Sequence, residues 1–536
     1  MIEGAIGLRP RPSARQTILL VAGLILITAA VRIPLLDVPL ERDEGEYAYI
    51  AWRLGHNELP YRDWVDQKPP AIFWVYRVAL ALPLDPIRAV HFAALLFAAA
   101  SACALFFLAR RFTNRFWAFV ATALFTLLSA DPFAQGAAAN TEVFMLLPLI
   151  LSQIAFLKAA DGPRNVLPML ICGALTGIAI AFKQVAAVNW FLLIALYPIF
   201  AAPEKRWSST VAFAIWSLGG LFAIAAIIGL YFWTRHGLSE LVDNVFTHNL
   251  EYIGAMTWSD RFQFCSETVA RLARTETLVW IFSAAGLIAL VVAGKGKWFA
   301  LLAGWLVTSM IGVSASGYFF PHYFQQLLPP LALIAVLGAK WLSELRPWRS
   351  SWIPRALFGL LLVFLPLKTL CPFWFSYTPA DAVRTIYPGN FFAEMPEFAA
   401  RIAEVTSSEQ RVFVFGAEPE LLFYAQRVSA TRYIFLFPLY GPYRNAREKQ
   451  IAAADEIQRA TPAAAVYVPN DLFFSPGSDQ YFTDWSLFYL QQNFYSDTWL
   501  IKQSPTMAQI MRAEPNSSAP PEGVLGALFV KKGNGE

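Results

Sequence analysis

Residues 17–36 read TILLVAGLILITAAVRIPLL, and residues 41–50, which follow almost at once, read ERDEGEYAYI. The first segment is apolar and long enough to cross a bilayer, whose hydrocarbon core is roughly 30 Å thick. The second places four carboxylates beside the end of that segment. Charge at a membrane boundary is costly unless it reaches water, a metal or a counter-charge. This pair of segments therefore indicates a membrane helix that leads into an acidic outer loop.

The composition of the whole chain is that of a polytopic membrane protein. Of its 536 residues, 57% are hydrophobic and 15% are charged, whereas soluble domains are nearer half apolar and a quarter charged. The net charge of +4 is too small to indicate a nucleic-acid partner, and no basic stripe alternates with aromatic residues. The four cysteines lack metal-ligand spacing, which argues against a zinc module or a disulfide scaffold.

Hydropathy predicts about eleven membrane spans. The first has a basic lead but no clean cleavage site, which favours a retained signal anchor. The predicted spans are residues 17–36, 87–109, 116–130, 141–159, 166–182, 185–202, 210–233, 277–294, 298–314, 323–340 and 356–371.

Lys and Arg in the short loops predict the orientation of these spans. Basic residues occur in alternate loops, whereas the loops near 131–140 and 315–322 carry none. The N-terminus is then cytoplasmic, and the long outer segments are 37–86, 234–276 and everything after about 372. The basic loops lie near 110–115, 158–164, 205–206, 295–297 and 340–355. We expect a multi-pass protein of the cell (inner) membrane.

The chain divides into two predicted domains. Residues 1–371 form the transmembrane domain, whose first outer loop, 37–86, carries amphipathic helices with aromatic side chains suited to the membrane interface. Residues 372–536 contain short β-rich runs and a helical stretch, which predict a small extracytoplasmic α/β domain. That domain has no nucleotide-binding loop motif.

The acidic stretch has two interpretations. Asp43 and Glu46 have the spacing of a capping box, and acids favour the first turn of a helix. Capping accounts for two carboxylates but leaves Glu41 and Glu44 unexplained, so a functional role stays open. Lys68 precedes two prolines that restrict the backbone. Its ammonium suits a lipid phosphate, or it is an ordinary snorkelling lysine.

Further polar residues occur at the predicted outer ends of spans, on the same side as Asp43 and Lys68. Ionisable groups in membrane segments are functional candidates, although an interfacial location lowers their cost. Together they predict an outward-facing cavity that holds a phosphate leaving group and a general base. These residues are Asn140 and Glu142 in AANTEVFML (138–146), Lys183 and Gln184 in AFKQVAAV (181–188), and His322, Gln325 and Gln326 in FPHYFQQLLPP (320–330).

The segment RDEGEYAYIAWRLGHNELPYRDWVDQKPP (42–70) resembles the first outer loop of the GT-C membrane glycosyltransferases. The similarity is to the glycosyltransferase family 39-like branch of bacterial proteins that resemble protein O-mannosyltransferases and the aminoarabinose transferase of lipid A. NTEVFMLLP (140–148), FKQVAAV (182–188) and PHYFQQLLPPLALIA (321–335) match in the same order. The resemblance covers about residues 15–345 and implies a GT-C-like fold.

The resemblance also implies a reaction, the transfer of a sugar from a polyprenyl phosphate to an acceptor on the outer side, usually with inversion. The acceptor is a lipid, a protein or a polysaccharide. In this reading Asp43 is, or positions, the general base, and Glu44 shares that role or binds a metal. Lys68 and His322 contact the donor phosphate. The expected substrate cavity contains Tyr47, Glu142, Lys183, Gln184, Tyr323 and Gln326.

A divalent metal stays open as a cofactor. Gln67 stands where the aminoarabinose transferase has an acidic residue associated with a metal. This difference argues against a similar metal site and against the same substrate.

Two other functions compete with glycosyl transfer. A transporter or flippase of a lipid-linked sugar would share the polar cavity, but such proteins more often show internal repeats and helices broken near the midplane. A receptor or scaffold would explain the outer domain but not the carboxylates at 41–46.

Overall fold

A computed structural model of the chain describes residues 14–162, 165–254, 256–345, 351–441, 443–474, 477–513 and 523–533. Parts of two predicted basic loops, 163–164 and 346–350, lie outside the described residues. The helices up to the end of the predicted membrane region are α1 Ala14–Arg32, α2 Arg42–Leu54, α3 Ala71–Ala79, α4 Pro86–Ala109, α5 Arg115–Leu128, α6 Thr141–Asp161, α7 Val166–Phe182, α8 Ala187–Phe200, α9 Arg206–Thr234, α10 Leu238–Val242, α11 His248–Gly254, α12 Trp258–Val292, α13 Gly296–Ser314, α14 Leu328–Ser343 and α15 Ile353–Phe375.

The chain is an integral membrane protein. Among the described residues, eight helices are long and apolar enough to cross a bilayer. Three shorter apolar helices coincide with further predicted spans. They are α5, α7 and a helix formed by residues 184–186 together with α8. How many of these eleven helices cross the membrane completely stays a prediction.

Helix α12 differs most from its predicted span. It begins at Trp258 rather than at residue 277, and the side chain of Thr257 caps it by accepting a hydrogen bond from the backbone N–H of Asp260. Hydropathy detects only the apolar second half, whereas the polar first half continues the same helix because no proline interrupts it. The predicted connection 234–276 is therefore largely helical.

Close helix packing requires glycine where α12 meets α14. A Cβ added at Gly286 would overlap the carbonyl oxygen of Ile334, and one added at Gly338 would overlap that of Phe282. Small residues at such crossings let two backbones approach in a membrane, where packing drives helix association. This crossing fixes α14, whose preceding turn carries His322 and Tyr323.

The first outer loop forms two helices, α2 and α3, as predicted. Two of the aromatic side chains of α2 are buried inside the protein, however. Tyr47 and Tyr49 are fully buried, and the Tyr49 hydroxyl accepts a hydrogen bond from the backbone N–H of Ser429 at 2.9 Å. The interfacial interpretation is corrected for these two side chains, because α2 packs beneath the C-terminal region.

The C-terminal region contains a mixed sheet flanked by helices. Its six described strands are ordered β2-β1-β3-β6-β4-β5, with β1 parallel to β2 and β3, and the other pairings antiparallel. The strands are β1 Arg411–Phe415, β2 Val428–Ser429, β3 Ala464–Tyr467, β4 Phe494–Ser504, β5 Met507–Arg512 and β6 Val524–Lys531. The helices are α16 Pro379–Ile386, α17 Met395–Val405, α18 Pro419–Ala425, α19 Ala446–Ala460 and α20 Tyr481–Asn493.

Candidate active site

The start of helix α2 sets the direction of its carboxylates. Glu41 is the N-cap, and its side chain accepts a hydrogen bond from the backbone N–H of Asp43 at 3.1 Å. The Glu44 carboxylate accepts one from the backbone N–H of Glu41 at 3.2 Å, which completes a capping box. The prediction that Asp43 and Glu46 form this box is wrong. These two residues, three apart on one helix face, are instead free to meet Lys68.

Lys68 gathers three carboxylates around its ammonium. Its Nζ lies 3.2 Å from Asp43 Oδ1, 2.9 Å from Glu46 Oε2 and 3.8 Å from Asp66 Oδ1. The backbone around Lys68 is held as well, because its N–H donates to Asp66 Oδ1 at 2.9 Å and its carbonyl accepts from the Tyr61 hydroxyl at 2.7 Å. The ammonium therefore occupies a fixed position at the start of α2.

The charges within this cluster shift the pKa values of its members in different directions. Burial lowers the pKa of Lys68, but Asp43, Asp66 and Glu46 outweigh it and raise that pKa well above its usual value. Burial raises the pKa of Asp43, but the charges of Lys68 and His322 bring it below its usual value. Burial and neighbouring carboxylates raise the pKa of Glu46 well above normal and that of Asp66 to about 6. At neutral pH, Asp43 is therefore an ionised carboxylate beside a charged lysine.

A second ion pair joins two helices opposite this loop. Lys183, directly after α7, pairs through Nζ with Glu142 Oε1 in the first turn of α6. The Thr141 hydroxyl donates to the other Glu142 oxygen at 3.0 Å. The Lys183 ammonium also lies 3.4 Å from the centre of the Tyr323 ring, the arrangement of a cation–π contact. These contacts point a second cation toward the same space as Lys68.

His322 is oriented by Gln135. The His322 Nδ1 lies 2.6 Å from Gln135 Oε1, so the imidazole donates from Nδ1 to the amide oxygen and leaves Nε2 for other contacts. Gln135 itself has a positive φ of 52° in the turn before α6. Backbone geometry in an outer loop thus positions an imidazole of the α14 segment.

Both clusters meet at one cavity of about 250 Å³. The polar side chains that line it include Asp43, Lys68, Lys183 and His322. The apolar side chains include Val245, Phe246, Leu250 and Ile253, from before and within α11. The cavity is lined by Asp43, Tyr47, Gln67, Lys68, Pro69, Thr141, Lys183, Gln184, Val185, Val245, Phe246, Asn249, Leu250, Ile253, Gly312, Ala315, Ser316, His322 and Tyr323.

Three of the predicted site residues lie outside the cavity lining. Glu44 is buried, and its Oε1 accepts hydrogen bonds from the Ala139 N–H at 2.6 Å and from His91 Nε2 at 2.9 Å. It therefore ties α2 to the loop before α6 and to α4, and it does not line the cavity. Its catalytic or metal-binding role stays a prediction. Glu142 pairs with Lys183, which does line the cavity. Gln326 donates to the Tyr323 carbonyl at 3.0 Å and packs against α13.

Sequence reasoning missed several residues of the site. Glu46 was assigned to the cap, although its spacing from Asp43 equally predicts a shared helix face. Asp66, two residues before Lys68, gave only a weak signal. Gln135 and Asn249 had none, because their contacts join segments that are distant in sequence.

The carboxylates of the loop are not arranged to bind a metal. Asp43, Glu46 and Asp66 all surround the Lys68 ammonium, which supplies the cation that three carboxylates require. Within the described ranges, no group of three or more His, Cys, Asp or Glu side chains has metal-binding geometry. The residues present fit an ammonium-centred site better than a divalent cation.

The C-terminal region holds α2 from its other side. Arg42 forms a 2.8 Å ion pair with Glu418, and the Leu40 N–H donates to the Tyr424 hydroxyl at 2.7 Å. A Cβ on Gly45 would overlap both the Cβ and the backbone of Glu420 at the start of α18. The helix that bears Asp43 is therefore clamped between the membrane helices and α18.

The fold and the site define a polytopic membrane protein with a cavity that is lined by two ammonium groups and a carboxylate. The sequence model of the dolichyl-phosphate-mannose-protein mannosyltransferase family matches residues 67–233. No curated protein sequence matches significantly.

Solved structures share the fold over nearly the whole chain. ArnT from Cupriavidus metallidurans bound to undecaprenyl phosphate has a TM-score of 0.59 at 16% identity, with 95% of this chain and 100% of that chain covered. The oligosaccharyltransferase AglB from Archaeoglobus fulgidus, in complex with an inhibitory peptide and a dolichol-phosphate, has a TM-score of 0.53 at 12% identity, with 95% and 75% covered. The GT-C-like fold that the sequence resemblance predicts is confirmed by these structures.

The substitution Gly45→Ala should loosen the contact between α2 and α18. The added methyl overlaps the backbone of Glu420, and overpacking of this kind typically costs about 1–3 kcal/mol. We expect faster hydrogen exchange in residues 42–54 and a lower melting temperature for the purified protein. Gly162→Ala is the matched control, because a Cβ there meets no atom within 4 Å. Equal exchange in the two variants would contradict the clamp.

Proposed function

We propose that the protein transfers a sugar from a polyprenyl-phosphate donor to an acceptor hydroxyl on the outer face of the membrane, with inversion. The cavity carries this proposal, because its lining combines two lysine ammonium groups with apolar side chains. Lys68, Lys183 and His322 suit an anionic headgroup, and Phe246 and Leu250 suit a hydrocarbon chain. A polyprenyl phosphate has both parts.

The comparisons support the choice of donor. ArnT binds undecaprenyl phosphate, and AglB binds a dolichol-phosphate in the solved complexes. The matching family is named for transfer of mannose from a dolichyl phosphate. These proteins share the chemistry of a phosphate on an isoprenoid chain, so we extend that chemistry to this cavity without assigning the sugar.

The site must first stabilise the phosphate leaving group. As the bond between the anomeric carbon and the phosphate oxygen breaks, negative charge develops on the phosphate. Cations fixed near that oxygen stabilise the transition state because they need no reorganisation. Lys68 is held by three carboxylates and Lys183 by Glu142, so both can supply this charge. The electron pair leaves with the polyprenyl phosphate.

The site must also activate the acceptor hydroxyl. A hydroxyl becomes an effective nucleophile when a base removes its proton as it attacks. Asp43 is ionised at neutral pH and lines the cavity beside Lys68, so it can take that proton as the new carbon–oxygen bond forms. A single displacement from the face opposite the phosphate inverts the anomeric centre. Nearby carboxylates also stabilise the oxocarbenium character of such a transition state.

Topology follows from the same proposal. The donor reaches the cavity laterally from the bilayer, and the acceptor meets it on the outer side. The first outer loop 37–86 and the domain formed by residues 372–536 are then extracytoplasmic, above a catalytic membrane domain of residues 1–371 in the cell membrane. The acceptor is a lipid, a protein or a polysaccharide of the envelope.

The variant Asp43→Asn should insert and fold normally but lose transfer. The amide cannot accept the proton, and general-base catalysis typically contributes 10²–10⁴-fold to rate. We expect a loss of at least about 10²-fold in kcat when purified enzyme is assayed with a labelled polyprenyl-phosphate sugar and envelope acceptors.

Asp37→Asn is the matched control. Asp37 precedes α2 and forms an exposed ion pair with Arg88, outside the cavity lining. Its variant should keep near-normal turnover. Turnover close to that of the unmodified enzyme in Asp43→Asn would refute the assignment of the base.

The rate should also fall below about pH 6. Burial raises the pKa of Asp66 to about 6, and its carboxylate accepts the backbone N–H of Lys68. Protonation below that pH weakens this anchor of the cation, whereas Asp43, whose pKa is lowered, remains ionised. We expect a pH profile of kcat/KM with an acid limb near pH 6 that disappears in Asp66→Asn. If the acid limb of the profile stays near pH 6 in Asp66→Asn, the group that titrates there is not Asp66.

A further inference from the structure

The imidazole of His322 is held in one orientation at the edge of the cavity. The amide oxygen of Gln135, in the connection between α5 and α6, lies 2.6 Å from its Nδ1. The ring of Phe320 stacks on the imidazole at 5.8 Å between centres, and the ring of Tyr323 meets it edge-on at 4.8 Å. These three contacts turn Nδ1 of His322 toward Gln135.

The turn that carries Gln135 is itself anchored. The carboxylate of Asp131 accepts a hydrogen bond from the hydroxyl of Thr275 in α12. The carbonyl of Asp131 accepts the N–H of Gly136 at 2.8 Å, and a Cβ on Gly136 would overlap the preceding backbone of the turn. Gln135 adopts the left-handed conformation between these two residues. A tight turn fastened to α12 therefore presents the Gln135 amide to the imidazole.

This contact decides which ring nitrogen meets a ligand. An amide oxygen only accepts hydrogen bonds, so Nδ1 of His322 carries a proton in both the neutral and the charged ring. His322 lines the cavity, whereas Gln135 lies outside the lining. Nε2 lies on the ring edge that faces away from Gln135. It is therefore the nitrogen that gains or loses a proton and that a ligand in the cavity can reach.

The empty cavity favours the neutral imidazole. His322 is only 8% exposed, and burial disfavours the charged form. The ammonium groups of Lys68 and Lys183 line the same cavity. The carboxylates of Asp43 and Glu142 are already paired with these two lysines. A third cation there would lack a partner, so Nε2 carries a lone pair until an anion arrives.

A phosphate reverses this preference. Its oxygens accept hydrogen bonds and repel a lone pair, so Nε2 can contact one of them only after it gains a proton. A negative charge within about 4–6 Å also favours the charged ring. The effect is largest after transfer, because the phosphate monoester that leaves carries more negative charge than the phosphodiester of the donor.

We propose that His322 takes up a proton at Nε2 when a polyprenyl phosphate binds, and that Gln135 is the positioning residue that keeps Nε2 directed at the phosphate. The inference rests on the proposed function. The proton comes from water, is shared with a phosphate oxygen, and returns to water when the lipid leaves. Lys68 and Lys183 thus supply permanent charge, whereas His322 supplies a charge that arises only with the ligand.

Nitrogen NMR reads both parts of the inference without requiring sugar transfer. The chain has only five histidines, and the signal that His322→Gln removes identifies the one of interest. Full-length protein with nitrogen-labelled histidine, in lipid bilayers at about pH 7.5, is measured with and without undecaprenyl phosphate. The empty protein should show a proton on Nδ1 only, and the bound protein should show one on both nitrogens. A proton on Nε2 in the empty protein, or none on Nε2 in the bound protein, would overturn the inference.

Affinity should depend on pH for the same reason. The Kd for labelled undecaprenyl phosphate in nanodiscs should rise by up to about tenfold per pH unit between about pH 7 and 8.5, because binding takes up a proton. This slope should vanish in His322→Gln. A residue that only stabilises the fold would change the Kd without changing its slope.

Two variants separate the position of Gln135 from its chemistry. Gln135→Asn tolerates the left-handed backbone, but its side chain is one methylene too short to reach His322. It should weaken binding about tenfold, the typical effect of losing a hydrogen bond to a charged group, and flatten the slope. Gln135→Glu keeps the reach and places a carboxylate beside Nδ1, which favours the charged ring before the lipid arrives. It should bind well, with a flat slope.

Gln263→Leu is the matched control. Gln263 is an exposed glutamine of α12 whose amide donates to Glu267 at 2.9 Å, so its variant should keep both the Kd and the slope. The same slope in the unmodified protein and in both Gln135 variants would overturn the inference while leaving sugar transfer intact. Absence of undecaprenyl phosphate binding to the unmodified protein would instead overturn the proposed donor, and the inference with it.

Discussion

The ammonium of Lys68 is the interaction on which the rest of the site depends. Three carboxylates from two parts of one outer loop converge on it. An ammonium alone would be costly to bury, and so would three carboxylates, but together they offset much of that cost. The consequence is chemical as well as structural, because Asp43 stays ionised while a cation remains fixed beside it. Both are needed where an acceptor loses a proton and a phosphate leaves.

This cluster is possible because other groups satisfy the start of α2. Glu41 and Glu44 supply the capping box, which leaves Asp43 and Glu46 for Lys68. On the opposite side, α18 of the C-terminal region approaches so closely that position 45 must be glycine. The C-terminal region therefore has a structural role in the site, since it holds the helix that presents the proposed base.

Sequence alone predicted the membrane helices well because a hydropathy signal of 18 residues is strong and local. It failed for the polar half of α12, where helix formation continues without an apolar signal. Polar and charged residues at the predicted outer ends of spans indicated four residues of the site. All four line one cavity: Asp43, Lys68, Lys183 and His322. Asp43 and Glu46 fit the capping pattern better than Glu41 and Glu44, because aspartate is a preferred N-cap residue and glutamate is not. The observed cap at Glu41 therefore could not be predicted from the pattern. Gln135 and Asn249 depend on contacts across the fold, which no local pattern encodes.

The central claim is that this cavity breaks the bond between a sugar and a polyprenyl phosphate. The most direct measurement follows a donor labelled in both the sugar and the lipid, with purified protein in sealed proteoliposomes and envelope acceptor outside. The account predicts that labelled sugar appears on the acceptor in a one-to-one ratio with free polyprenyl phosphate. Movement of the intact labelled lipid between leaflets, without release of polyprenyl phosphate, would contradict it and identify a flippase.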